Sequence, residues 1–199
     1  SAGDNHNLAI TADGSVWSWG ARGGGRLGHG DEQTQLLPKK VEAFAGQRVV
    51  TVSAGGAYSL AVTADGSVWS WGAGSMGKLG HGDEQHRQLP KRIEALAGRC
   101  VVAVSAGARH SLAITADGSV WSWGCGRQGQ LGHGDEQHQL LPKKVAALAG
   151  QRVVAVSTGV CHNIATTAND AVFTWGGGEG GCLGHGEDLS KQLLPKKIE

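Results

Sequence analysis

Nine histidines and four cysteines are the residues with the clearest chemical capacity in this 199-residue chain. His29, His81, His133 and His185 recur in the tetrapeptide Leu-Gly-His-Gly at a constant step of 52 residues. Regularly spaced imidazoles raise the question of a metal. A zinc ion, however, holds each ligand at about 2 Å, whereas equivalent atoms on stacked sheets lie about 10 Å apart. Equivalent histidines therefore cannot share one ion, and a local hydrogen bond is the expected role of each. Pairs inside one unit, His81 with His86, His133 with His138, or Cys182 with His185, stay open, with no distinctive ligand spacing.

The cysteines Cys100, Cys125, Cys161 and Cys182 form no C-x-x-C pair. Cys100 takes the place of Arg48 and Arg152, and Cys125 that of Ala21 and Ala73. Such substitutability fits free thiols in a reducing compartment, so an intracellular location is expected, cytoplasm or nucleus. No serine, histidine and carboxylate recur together in an activating context. The glycine-rich stretch 20–30 does not lead into a helix, as a phosphate loop would. The sequence points to no catalytic residue, no metal and no cofactor, and so to a protein that is not an enzyme.

The elements that position these residues are repeats. Ser1, Ser53, Ser105 and Ser157 open units 1–52, 53–104, 105–156 and 157–199, and 40 of the 52 positions in 1–52 are identical in 105–156. Each unit contains β-branched or alternating runs, as in 48–53, 59–63 and 68–71, and a proline-marked segment such as 89–96. The Asp65–Gly66 dipeptide reads as a two-residue hairpin turn. The proline suits an edge strand. Four strands per unit predict an all-β fold of four-stranded antiparallel propeller blades, about four of them. With one strand missing at the start, fifteen strands are expected in a single partial propeller spanning 1–199.

Trp17, Trp19, Trp69, Trp71, Trp121, Trp123 and Trp175 all fall on the third-run pattern Val-Trp-Ser-Trp-Gly or its variant. Two residues apart on a strand means one shared face, and that face must meet the neighbouring blade. A buried tryptophan removes about 150–250 Å² from water, an upper bound of roughly 4–6 kcal/mol. Packing is sufficient reason for these side chains.

Charge and hydropathy exclude other classes. The net charge of +1 gives no attraction for nucleic acid, and no apolar run is long enough to span a membrane. Acidic pairs at 31–32, 83–84, 135–136 and 187–188 alternate with basic pairs at 39–40, 91–92, 143–144 and 196–197. Alternating signs on a rim keep strand edges soluble.

The linked motifs of 106–156, "AGARHSLAITADGSVWSWG", "GQLGHGD", "LPKKV" and "VVAV", resemble the regulator of chromosome condensation family. A finer likeness is to the propellers of giant HECT-type ubiquitin ligases. The resemblance implies a seven-bladed ring, of which this chain supplies part; further blades or a second chain would close it. It also implies two mechanisms to check. The plant UV-B photoreceptor of the family uses a tryptophan in its first-turn motif, where this chain has Asp4, Gly56, Ala108 and Val160. Light sensing by that route is not expected. Nucleotide exchange on a Ran-like GTPase uses an inserted wedge, and the repeats here contain no insertion longer than one residue. Exchange is the alternative reading.

Variation among the near-copies is confined to two places. One is the first turn, Asp4–Asn5, Ala57–Tyr58, Ala108–Arg109 and Val160–Cys161; the other is the loop after the tryptophans, 21–26, 73–78, 125–130 and 177–182. Loops on a rigid scaffold set binding specificity. Arg22, Tyr58, Met76, Arg109 and Arg127 are therefore the expected contacts of an unidentified protein partner.

Overall fold

The computed structural model describes all residues 1–199. It contains fifteen strands: β1 (His6–Ile10), β2 (Val16–Gly20), β3 (Gln35–Lys40), β4 (Val49–Ala54), β5 (Tyr58–Thr63), β6 (Val68–Gly72), β7 (Arg87–Arg92), β8 (Val101–Ala106), β9 (His110–Thr115), β10 (Val120–Gly124), β11 (Gln139–Lys144), β12 (Val153–Thr158), β13 (His162–Thr167), β14 (Val172–Gly176) and β15 (Gln192–Lys197). They form four antiparallel sheets in strict chain order, β1-β2-β3, β4-β5-β6-β7, β8-β9-β10-β11 and β12-β13-β14-β15. The first sheet has three strands and the others four, as the repeat count predicts. Each sheet is one blade, and the row of blades is not closed.

The strand faces explain the packing. In β5 every residue from Tyr58 to Thr63 is buried, because a blade covers each side of the sheet. In β13 of the last blade Ile164 is 40% exposed. Three apolar cores fill the three spaces between blades. The middle one joins Leu60, Val62, Val68, Leu79, Ile93 and Leu96 of the second blade to Val101, Val104, Ala113 and Trp123 of the third. The others join Leu8, Val16 and Phe44 to Ala61 and Trp71, and Leu112, Ile114 and Leu148 to Ala165 and Trp175.

The tryptophans divide into two sets. Trp71, Trp123 and Trp175 are fully buried against the preceding blade, whereas Trp17, Trp19, Trp69 and Trp121 are half-buried. Phe44 meets both Trp69 and Trp71 edge-on at 5.7 Å between ring centroids.

Pro38, Pro90, Pro142 and Pro195 all lie in outer strands, where a missing N–H breaks no inner ladder. A short 3-10 turn, such as Glu94–Leu96, follows and sends one apolar side chain inward, here Leu96.

The Asp-Gly turn differs from expectation. Thr63 N–H donates to the Ser67 carbonyl, so the loop is the three residues 64–66 rather than two. The cause is the Asp65 carboxylate, which accepts from Thr63 Oγ1 (2.6 Å), Ser67 N (3.1 Å) and Ser67 Oγ (2.9 Å). These bonds hold its pKa down to about 2. Gly66 supplies the positive φ of +79° that a three-residue loop requires.

Antiparallel alternation sorts the connections. The first turns (such as 55–57) and the loops after the tryptophan strands emerge at one end of each sheet; the Asp-Gly turns emerge at the other. Ala73 N–H to the Ala57 carbonyl and Cys125 N–H to the Arg109 carbonyl tie the variable segments together. All the variable positions therefore occupy one face of the blade row.

Candidate interaction face

The histidines of the Leu-Gly-His-Gly loops serve structure. Ser18 Oγ donates to the Leu27 carbonyl at 2.7 Å, and its oxygen lies 2.9 Å from His29 Nε2. A hydroxyl has one proton, so His29 Nε2–H is the donor in the second bond. The same arrangement joins Ser70 to His81, Ser122 to His133 and Thr174 to His185. Burial, aided by Lys91 and Lys143, lowers the pKa of His81 and of His133 to about 4, and burial lowers that of His29 as well. These imidazoles are neutral. His86 and His138 are occupied separately, each accepting from a glycine N–H, of Gly74 and Gly126, at 3.1 Å.

The first-turn aromatic positions join one blade to the next. His6 Nε2 meets Ser59 Oγ at 2.9 Å and His110 Nε2 meets Asn163 Oδ1 at 2.7 Å. Ser59 Oγ and Asn163 Nδ2 then donate back to the carbonyls of Arg26 and Gln130. Trp123 and Trp175 donate to the equivalent carbonyls of Lys78 and Gln130, at 2.9 and 3.0 Å. His6 and His110 have their other ring nitrogen buried without a partner, and burial lowers both pKa values to about 4.

Tyr58 corrects one sequence expectation. It is fully buried, and its hydroxyl donates to the His110 carbonyl of the next blade. A side chain spent inside a blade interface is not available to an external partner. Burial raises its pKa beyond the ordinary tyrosine range.

The other expected contacts do lie on the variable face. Arg22, Arg109 and Arg127 are exposed, and Met76 is half-buried at a φ of +61°, in a left-handed conformation that Gly24 and Gly180 adopt in their own blades. Sequence reasoning missed Arg26 and Lys78. Arg26 donates through Nε to the Gly23 carbonyl (2.8 Å) and through Nη1 to the Gly56 carbonyl (3.2 Å). Lys78 is only 4% exposed, with Nζ 5.7 Å above the Tyr58 ring and 3.1 Å from Ser75 Oγ. Their signal was the residue before each Leu-Gly-His-Gly, which runs Arg26, Lys78, Gln130, Cys182. The four ion pairs, Lys39–Asp31, Arg87–Asp83, Lys191–Glu136 and Lys196–Asp188, involve none of these face cations. The four cysteines are free; Cys161 Sγ and the Cys182 thiol, which donates to the Gly177 carbonyl, both lie beside Gly177.

Sheets in chain order, one core per inter-blade space, and a buried tryptophan from the next blade at each space, bonded at two of the three to the carbonyl before Leu-Gly-His-Gly, define a repeat-built β-propeller. The match to the family model of the RCC1-like domain covers residues 1–199, and the chain belongs to that family. It is 43% identical over 187 residues to the human E3 ubiquitin-protein ligase HERC2, covering 93% of this chain and 4% of that protein. It is 38% identical over 196 residues to the Arabidopsis thaliana ultraviolet-B receptor UVR8, covering 98% of this chain and 44% of the relative. Among solved structures, human WBSCR16 superposes with a TM-score of 0.90 at 27% identity, covering all of this chain and 52% of that one. Prp20p of Saccharomyces cerevisiae superposes at 0.86 with 25% identity, covering 99% and 49%. The chain thus spans about half or less of the proteins it matches. No helix is long and apolar enough to cross a membrane.

Proposed function

We propose that this chain is a non-enzymatic scaffold segment that binds a protein partner through the face carrying its variable loops, within a propeller completed by further blades of the same or another chain. The observation that carries this reading is the distribution of polar groups. Recurrent histidines, serines and the tyrosine are engaged in bonds within or between blades, while Arg22, Arg109 and Arg127, at positions that vary between near-identical repeats, are exposed on one face. Rigid blades presenting variable loops are the arrangement that binding surfaces use.

A photo-crosslinking residue placed at Arg109 tests it, with the same residue at Asp117, on the opposite face, as control. Partner adducts formed from position 109 alone support the reading; adducts from position 117 alone, or from neither, overturn it. The second reading is nucleotide exchange on a small GTPase. It is favoured by the 25% identity to Prp20p, described as binding Gsp1p and histones. Release of a fluorescent GDP analogue from the GTPase, accelerated by this chain and lost with Arg109→Ala, would support it over the first.

A further inference from the structure

Lys78 is the most unusual charge in the molecule. An ammonium normally keeps its head in water or beside a carboxylate. This one is 4% exposed, and its only hydrogen bond is to the Ser75 hydroxyl. The Tyr58 ring beneath it offers a π face at 5.7 Å, which is weak compensation. No carboxylate lies within ion-pair distance, since the four ion pairs all lie elsewhere.

Its neighbours have the same sign. A Cβ on Gly124 would sit 3.2 Å from Lys78 Cα and 2.7 Å from the Arg109 carbonyl, so Lys78 and Arg109 flank one glycine. On the other side Arg26 reaches across to the Gly56 carbonyl, two residues before Tyr58. Burial, then Arg109 and Arg26, lower the Lys78 pKa, so the field of each arginine opposes the Lys78 ammonium. Asp4, beside Gly56, and Glu179 of the last blade are carboxylates at the two ends of the row, and neither pairs with a cation. The acidic residues of the same connections, Asp31, Asp83 and Asp188, are already paired with basic residues of the outer strands.

We propose that Arg26, Lys78 and Arg109 form a docking row for an acidic segment of a partner protein, with one of its carboxylates seated at Lys78. The inference rests on the scaffold reading and specifies the chemistry of the partner. Three like charges outside any ion pair gain most from a ligand that brings carboxylates, and such complementarity sets specificity and speeds encounter. Peptide is favoured over nucleic acid because a net charge of +1 and three cations in a short row supply no broad basic surface for a phosphate backbone.

The test is fluorescence anisotropy of a labelled octaglutamate peptide with the full 199-residue chain at low salt. Lys78→Met and Arg109→Ala are each expected to weaken binding at least tenfold, whereas Lys143→Ala on the rim changes it less than twofold. Lys78→Met retains an apolar stem, and Arg109 is exposed, so a fluorescence melt equal to that of the unaltered chain accompanies each measurement. Equal loss in the rim variant, or no binding by the unaltered chain, overturns the proposal. Tighter binding of an eight-nucleotide thymidine oligomer, also dependent on Lys78, overturns it in favour of nucleic acid. If crosslinks from position 109 persist while octaglutamate does not bind, the acidic row falls and the scaffold reading stands.

Discussion

Substituting Gly80 by alanine probes the interlock between blades directly. Gly80 has a φ of +79°, and an added Cβ would lie 3.0 Å from Trp123 Nε1, 3.2 Å from Trp123 Cδ1 and 3.3 Å from Pro142 Cδ. Two penalties combine, a left-handed conformation for alanine of about 1 kcal/mol and overpacking against a fully buried ring of about 1–3 kcal/mol. Two other glycines separate them. Gly98 has a φ of +73° with nothing within 4 Å of the added atom, and so reports the backbone penalty alone. Gly184 is the counterpart of Gly80 in the last blade, with a φ of +72° and Ile198 Cδ1 at 3.4 Å as its nearest neighbour. Urea unfolding followed by tryptophan fluorescence should place Gly98→Ala and Gly184→Ala together, about 1 kcal/mol below the parent. Gly80→Ala should lie about 2–4 kcal/mol below it. If Gly80→Ala is no worse than Gly98→Ala, or if Gly184→Ala matches Gly80→Ala, the tryptophan is not seated as described.

Three further outcomes follow from the same contacts. His110 is neutral in the fold with a pKa near 4 against an ordinary 6.5, so its contribution is complete above pH 6.5 and is lost as pH falls toward 4. Between pH 7 and pH 5 that loss is about 2 kcal/mol, and in urea titrations at both values His110→Gln should lose correspondingly less stability than the parent. Tyr58→Phe removes the hydroxyl that donates to the His110 carbonyl and should lower stability by about 1–3 kcal/mol without weakening octaglutamate binding more than twofold. His133→Ala removes a donor to Ser122; a melting curve should show a decrease equivalent to about 1 kcal/mol, and a chelator should shift neither protein.

Strands and blades were legible in the sequence because a period of two and a constant step of 52 are local signals. The proline-bearing outer strands followed from backbone geometry alone, whereas the division of the tryptophans into three buried and four half-buried did not. The hairpin loop was misread because Asp65 makes three bonds that a count of turn residues does not reveal. Tyr58 was misread for a deeper reason. Its variation against His6 and His110 looks like surface drift, yet the partner of each lies in the next blade, Ser59 for His6, Ser111 for Tyr58 and Asn163 for His110. A contact of that range has no local signature. Lys78 went unnoticed because sequence shows that a lysine is present, not that its head lacks a carboxylate.

The separation of these partners carries a consequence for how such a chain can lengthen. Ser1 Oγ accepts from Ala54 N, Ser53 Oγ from Ala106 N and Ser105 Oγ from Thr158 N, each 53 residues apart, as are His6 with Ser59 and His110 with Asn163. Each of these five links therefore spans one unit plus one residue. Gain or loss of a whole 52-residue unit restores each link, whereas any other change of length within a linked span displaces its partners. Near-copies also carry a hazard, since a blade could settle against the wrong neighbour. The pairs His6–Ser59, Tyr58–Ser111 and His110–Asn163 differ from one interface to the next, although the units that they join are otherwise almost interchangeable.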